Sequence, residues 1–351
     1  MIDSVLQDFG LNNDTVSILP LRQGLINSTW KISVNSHAFV LQKINEQVFK
    51  NPEDIAFNTN LMEDYLKQHE PGYKFVSPIR SVSGHSLVYR KEEGYYRAFP
   101  FVAGSHSKDV VQTPEQACEA AAQFGRFTML LSGLDVTKLK ITLPSFHDLT
   151  LRYRQFLEAL EKGNKKRIIQ SAELINELNS WSSIVDEFEG IKMNPEFKLR
   201  VTHHDTKISN VLFDKDDKGL CVIDLDTVMP GYFFSDVGDM MRTYLSPVSE
   251  EETDFAKIEV RNDFYKAVVQ GYFNEMKDKL TGTEKDYIFY SGTFMIYMQA
   301  IRFLTDYIND DVYYGAKYPE HNLNRAQNQA VLLNRLIEKK EVLEKLVKVE
   351  I

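Results

Sequence analysis

A chain of 351 residues, 43% hydrophobic and 26% charged, has ordinary globular make-up and can bury one large core or two lobes. Its formal charge of −9 and pI near 5.5 argue against a nucleic-acid or anionic-membrane partner, since either wants a basic face. No apolar run approaches the roughly 20 residues of a membrane span, and Cys118 and Cys221 show no disulfide or metal spacing. The first residues lack the charged-then-apolar build of a signal peptide, so the expected compartment is the cytoplasm.

The texture of the chain changes near residue 104. Before it, short alternating segments dominate: 17–19, 29–34, 38–42, 85–89 and 95–101. Asn35-Ser36, Ser83-Gly84 and Glu93-Gly94 punctuate them as hairpin turns. One helix is expected over 52–69, with Asn51 as its cap before Pro52. After residue 114 the apolar period becomes helical, over 114–133, 146–162, 165–189, 249–279, 284–309 and 322–348. The expectation is an α+β chain: a strand-rich lobe over 1–103 and a larger helical lobe over 104–351.

Chemistry concentrates in Val201-Thr202-His203-His204-Asp205-Thr206-Lys207-Ile208-Ser209-Asn210 and in Cys221-Val222-Ile223-Asp224-Leu225-Asp226. Asn210 follows Asp205 by five residues, the offset between catalytic base and metal-holding Asn in a kinase catalytic loop. Between Asn210 and Asp224 the chain reads strand, charged turn, strand, a hairpin that brings its two ends together. An amide oxygen and a carboxylate from separate loops suit magnesium. Asp205 is then the catalytic base, Asn210 and Asp224 the metal-binding pair, and Mg2+ and ATP the implied cofactor and phosphoryl donor. A zinc site at His203 and His204 is the weaker reading, because the eight histidines show no second cluster and no His-Glu-x-x-His.

At these residues the chain resembles the aminoglycoside phosphotransferase/choline kinase superfamily. The stretches 221–231 and 235–242, together with 301–308 and 311–314, look like its N-acetylhexosamine 1-kinase branch. The resemblance implies a bilobal protein-kinase-like fold, with a small antiparallel-sheet N-lobe containing one helix and a larger, mostly helical C-lobe. It also implies transfer of the ATP γ-phosphate to a small-molecule acceptor, in that branch the anomeric hydroxyl of an amino sugar. Choline or ethanolamine, an aminoglycoside, homoserine and methylthioribose remain as other acceptors. A nucleotide-binding pseudokinase scaffold is the reading from another class, and the intact Asp205, Asn210 and Asp224 set argues against it.

Other positions take roles from this frame. The loop 21–29 joins two strands and could cover the phosphates, with Gly24, Asn27, Ser28 and Thr29 as contacts. It has one Gly where protein kinases have three, and the superfamily tolerates that. Lys43 ends a strand where a cation would reach the phosphates, although Gln42, on the opposite face, could be the inward residue. Glu63 is the candidate partner of Lys43. Residues 97–103 read as the hinge, whose backbone would pair with the adenine edge; Phe99 and Phe101 belong to this cofactor-binding segment, with side chains that read as core rather than as a stacking platform. Asp226 and Thr227 are candidate acceptor contacts near Asp205. Arg302, in an otherwise apolar helix, needs a partner or a cleft; Asp306 could pair with it, whereas the resemblance points to sugar binding with Tyr313. Asp236 reads as a brace of the catalytic loop, and Glu250-Glu251-Glu252 as a solvated helix start.

Overall fold

The computed structural model describes residues 2–11, 16–21 and 26–348. The chain divides into two compact units. The first takes residues 1–107, 130–144 and 210–230; the second takes 108–129, 145–209 and 231–351.

The first unit is built on a five-stranded antiparallel sheet in the order β1-β2-β3-β5-β4. Its strands are β1 (Val16–Pro20), β2 (Ser28–Val34), β3 (His37–Lys43), β4 (Val88–Arg90) and β5 (Gly94–Pro100). The alternation in the sequence sets the faces. Ile32, Leu41, Tyr96 and Ala98 point to one side and close a core with Val5, Leu6 and Phe9 of α1 (Ile2–Asp8) and the chain after it. Thr29, Gln42 and Arg97 are register partners across β2, β3 and β5, so their side chains share the other face. Helix α2 (Pro52–His69) starts at Pro52 as expected, but the Asn51 side chain makes no capping bond. From inside α2, buried Asn58 donates to the Lys140 and Val228 carbonyls and accepts from the Lys140 N–H, which pins two later segments of the unit.

The second unit is helical: α3 (Pro114–Leu130), α4 (Leu149–Lys162), α5 (Lys165–Gln170), α6 (Ala172–Ser180), α7 (Ser183–Met193), α8 (Phe233–Tyr244), α9 (Asn262–Met276), α10 (Gly282–Asp286), α11 (Ile288–Ile308), α12 (His321–Glu338) and α13 (Lys340–Val347). It also carries a short strand, β6 (Arg200–Thr202). Helix α11 is apolar all round and is its central element. Only Arg302 and Thr305 of α11 are not fully buried. Three expected helices differ. The stretch 165–189 breaks at Ser171 and at Trp181-Ser182 into α5, α6 and α7. The last helix breaks at Lys339. The acidic run 249–254 is not helical; it has no apolar stripe to bury, and Asn328 holds it by donating to the Ser249 and Glu252 carbonyls. No helix among the described residues is long and apolar enough to cross a membrane.

Gly238 sets how closely α8 and α11 approach, because a Cβ there would run into the Ser291 carbonyl oxygen and lie 2.9 Å from Met295 Cβ. Gly238→Ala is expected to lower stability by about 1–3 kcal/mol, as overpacking a tight contact does. The urea midpoint measures it, and a midpoint equal to wild type would show that the two helices can spread without cost.

Candidate active site

In the first unit the hairpin of β7 (Val211–Phe213) and β8 (Gly219–Val222) is antiparallel, with Val211 opposite Val222. Its turn is closed by Asp214, whose side chain accepts the Asp216 and Lys218 N–H groups. At the open end the Ile223 N–H donates to the Asn210 carbonyl at 2.8 Å, which brings Asn210 beside the residue before Asp224. Asn210 is buried and Asp224 is exposed. Asp224 adopts the left-handed conformation, φ 62° and ψ 59°, which few residues except Gly, Asn and Asp tolerate. A backbone held there stores on the order of 1 kcal/mol, and such strain gathers at functional positions. One amide oxygen and one carboxylate are hard donors whose chemistry fits a magnesium ion.

Asp226, two residues on, turns the other way. It is 2% exposed; its Oδ2 accepts from Asn27 Nδ2 at 2.7 Å, and its Oδ1 lies 2.5 Å from the Arg97 guanidinium. Arg97 also donates to Gln42 Oε1 at 3.0 and 2.8 Å, and the Gln42 amide nitrogen donates to Thr29 Oγ1. Asn27 Oδ1 accepts the Asn45 N–H. This chain fastens the turn after Asp224 to the sheet. It also corrects Asp226 as an acceptor contact, since a buried carboxylate with both oxygens engaged is an anchor. Thr227 is buried in the same turn.

Four further expectations change. Gln42, not Lys43, shares the Asp226 face; Lys43 pairs across the strands with Ser28 and Tyr96, its Nζ 5.9 Å from the Tyr96 ring. The cation on the Asp226 face is Arg97, which lies in β5 opposite Gln42 and not in a hinge. Glu63 belongs to Ser77, Arg80 and Lys67, with Ser77 Oγ donating at 2.5 Å, and not to Lys43. Phe99 lies in β5 under the Arg97 guanidinium, and Phe101 lies under Lys31 with its N–H donating to the Ala38 carbonyl, so that N–H is engaged in the sheet. Ser28 is exposed and Thr29 half-buried at the start of β2, and Gly24 lies outside the described residues.

In the second unit the loop after β6 carries Asp205. His203 is buried, edge-on to Phe124. The His203 and His204 N–H groups donate to the two carboxylate oxygens of Asp236 at 3.0 and 2.7 Å. The Thr206 N–H donates to Asp239 Oδ2 at 2.8 Å, and the Tyr244 hydroxyl donates to the Thr206 carbonyl at 2.6 Å. His204 has φ 66°, so strained backbone lies immediately before Asp205 as it does at Asp224. Asp205 itself is a quarter exposed, with Lys207 Nζ 3.1 Å from its Oδ1. That carboxylate is the main reason the Lys207 ammonium is held above its ordinary value. Lys207 was missed, and its signal was simply a Lys two residues after the candidate base.

The loop is joined to a cavity of about 450 Å³ in the same unit, lined among others by Arg152, Arg302, Thr305, Tyr313 and Tyr314. The rings of Phe146 and His147 stack at 4.4 Å, and His147 Nδ1 lies 3.2 Å from His204 Nδ1. The guanidinium of Arg302 lies over Phe146, Tyr313 and Tyr314. It donates to Gln299 and Tyr313, while Asp306 accepts the Tyr313 and Tyr314 N–H groups and Asn322 Nδ2. Arg302 and Tyr313 therefore meet at one cavity, and the Arg302–Asp306 pair does not form.

Residues 17–278 match the APH phosphotransferase enzyme family. The chain belongs to that family. Solved structures agree on the kinase-like fold at low identity. An aminoglycoside phosphotransferase from Alicyclobacillus acidocaldarius superposes with a TM-score of 0.63 at 12% identity, over 97% of this chain and 95% of that one. A microcompartment-associated aminopropanol kinase gives 0.61 at 14%, over 97% of each chain. Amicoumacin kinase, in a complex with AMP-PNP and Ca2+, gives 0.61 at 12%, over 95% and 92%. A phosphotransferase of this family has an antiparallel-sheet lobe and a helical lobe, as here.

Glu250 shows how the loop's support is held. Burial pushes its carboxyl up, but Arg242 and Arg325 outweigh that and hold it at about 2. Arg242 donates to Glu250 at 2.6 Å and to Asp239 at 3.0 Å, and so links the acidic run to the loop. A folded-state value below the ordinary 4.5 means this stabilisation is complete above pH 4.5 and is lost as pH falls toward 2. Glu250→Gln should cost about 3 kcal/mol at pH 7, the low end for breaking a buried pair because the side chain is a quarter exposed. Urea unfolding from pH 7 to pH 3 should show the gap to wild type narrowing; a constant gap would detach the effect from the Glu250 charge.

Proposed function

We propose that this phosphotransferase moves the γ-phosphoryl group of ATP to a hydroxyl of a small molecule, and that the acceptor is an N-acetylhexosamine phosphorylated at its anomeric hydroxyl. The observation that carries the reading is the junction, within one unit, of the braced Asp205 loop and the Arg302–Tyr313 cavity through Phe146, His147 and His204. In this mechanism Asp205 orients the acceptor hydroxyl and takes its proton as the new oxygen–phosphorus bond forms and the bond to the ADP oxygen breaks. Lys207 steadies the Asp205 carboxylate. Asn210 and Asp224 would hold magnesium, which would supply positive charge to offset that of the phosphates. Ser28 and Thr29, at the start of β2, are the proposed phosphate contacts, and residues 1–103 the nucleotide lobe. Use of ATP fits a cytoplasmic location.

A cationic acceptor such as choline or an aminoglycoside would want carboxylates or an open aromatic cage. Here the rings are already covered by Arg302. The intact base and metal pair disfavour a scaffold. ADP release should be strong with N-acetylglucosamine or N-acetylgalactosamine, with a product that has no reducing end. Turnover confined to choline, homoserine or kanamycin would discard the sugar.

Asp205→Asn should lower kcat by roughly 10²–10⁴-fold, the usual worth of a general base, with ATP binding by calorimetry little changed. Near-normal turnover would remove Asp205 from the base role. Asp224→Asn should instead raise the magnesium concentration needed for half-maximal rate, and an unchanged magnesium dependence would take Asp224 out of the metal site.

A further inference from the structure

The cavity of the helical unit is lined by three cations, Arg152, Lys162 and Arg302, and by two carboxylates, Glu158 and Asp306. Arg152, on α4, donates to Gln155 Oε1 and to the Ser145 and Phe146 carbonyls, and its buried Nε has no partner. Arg302, on α11, donates to an amide oxygen and a phenol and lies over three rings. Among the described residues, no carboxylate forms an ion pair with either guanidinium. The two carboxylates lining the cavity have other partners: Glu158 pairs with Lys162, also in the lining, at 2.8 Å, and Asp306 accepts backbone N–H groups and Asn322. Burial, and after it the charge of Arg302, pulls Arg152 below its ordinary value, so the two cations sense one another. Asp148, four residues before Arg152, acts in the opposite direction but forms no ion pair with it. Guanidinium forks without an ion-pair partner are the side chains best matched to a planar or tetrahedral oxyanion.

We propose that this cavity takes an acceptor bearing an anionic oxo group, a carboxylate or a sulfate or phosphate ester, held between Arg152 and Arg302. The inference rests on the reading of the cavity as the acceptor site and narrows it from a neutral amino sugar to an acidic one. The anion supplies the ion-pair partner that the two arginines lack, satisfies the orphaned Nε of Arg152 and leaves the acceptor's reacting hydroxyl toward His204 and the Asp205 loop.

Two matched pairs test it: N-acetylglucosamine 6-sulfate against N-acetylglucosamine, and glucuronic acid against glucose. Each is measured by calorimetric binding and by ADP release with magnesium ATP. At least one anionic member should bind about tenfold or more tighter than its neutral parent, the worth of one charged hydrogen bond. The first pair reports a tetrahedral ester and the second a planar carboxylate. Arg152→Gln should bring the anionic-to-neutral ratio to about one, and Arg152→Lys, which keeps charge but loses the fork, should fall between; circular dichroism checks that both variants fold. Turnover of N-acetylglucosamine with no preference in either pair would overturn the inference and leave the sugar kinase standing. Binding of an anionic member without ADP release would keep the anion site and sink its role in acceptor turnover. No binding of any of the four would overturn both.

Discussion

The helical unit depends on one carboxylate that is expensive to bury. Asp236, on α8, receives the N–H groups of His203 and His204, one on each oxygen. Burial pushes its carboxyl up to about 7, against those two bonds and with help from the charges of Asp239 and Asp205. The cost is borne because two consecutive backbone donors, buried beneath the loop, would otherwise have no acceptor. With both donors captured, His204 can hold φ 66°. Its neighbour Asp205 is thereby presented at a quarter exposure beside Lys207. Asp239, one turn further along α8, repeats the device at Thr206, and Arg242 after it ties Asp239 to Glu250. Three charges spaced three apart on one helix thus carry the loop.

The sheet unit solves the same problem with different parts. Asp224 and Asp226 are two residues apart, yet one is exposed in left-handed backbone and the other is buried. The short helical turn between them accounts for this, because it reverses the side-chain direction over two residues. Asp226 reaches Arg97 and Asn27, and through Gln42 and Thr29 it reaches three strands of the sheet. Both anchors, Asp236 and Asp226, are acids that the chain buries so that a neighbouring acid can stay accessible.

Much of this was legible in the sequence. The five-residue offset of Asp205 and Asn210, the hairpin and the switch from strand to helix period all come from local pattern, and local pattern suffices for them. Lys43, Glu63 and Asp226 were read differently because their roles depend on which face of an element they occupy. A one-residue step on a strand exchanges the faces, and nothing local says which of Gln42 and Lys43 is inward. Arg97 was hidden for the same reason, since its register against Gln42 exists only once β3 and β5 pair. The acidic run 249–254 misled in another way. Three glutamates in a row look solvated, but Glu250 sits between arginines supplied by α8 and by α12, 8 and 75 residues away in sequence.

The charge of the whole chain says nothing about the charge of its cavity. At −9 overall, the protein still gathers Arg152 and Arg302 on one cavity without carboxylate partners. Arg302 is one of two residues of α11 that are not fully buried, and a charge in so apolar a helix has to be compensated locally. The faces of Phe146, Tyr313 and Tyr314 do part of that, each such contact being worth on the order of 1 kcal/mol. Ring faces attract a cation without cancelling its charge, and the donors on the edge of the guanidinium meet only neutral acceptors, Gln299 and Tyr313. An ion pair to Asp306 would have silenced that edge. Asp306 is instead spent on the N–H groups of Tyr313 and Tyr314, and so the acid that could have neutralised Arg302 holds in place the rings that stack on it.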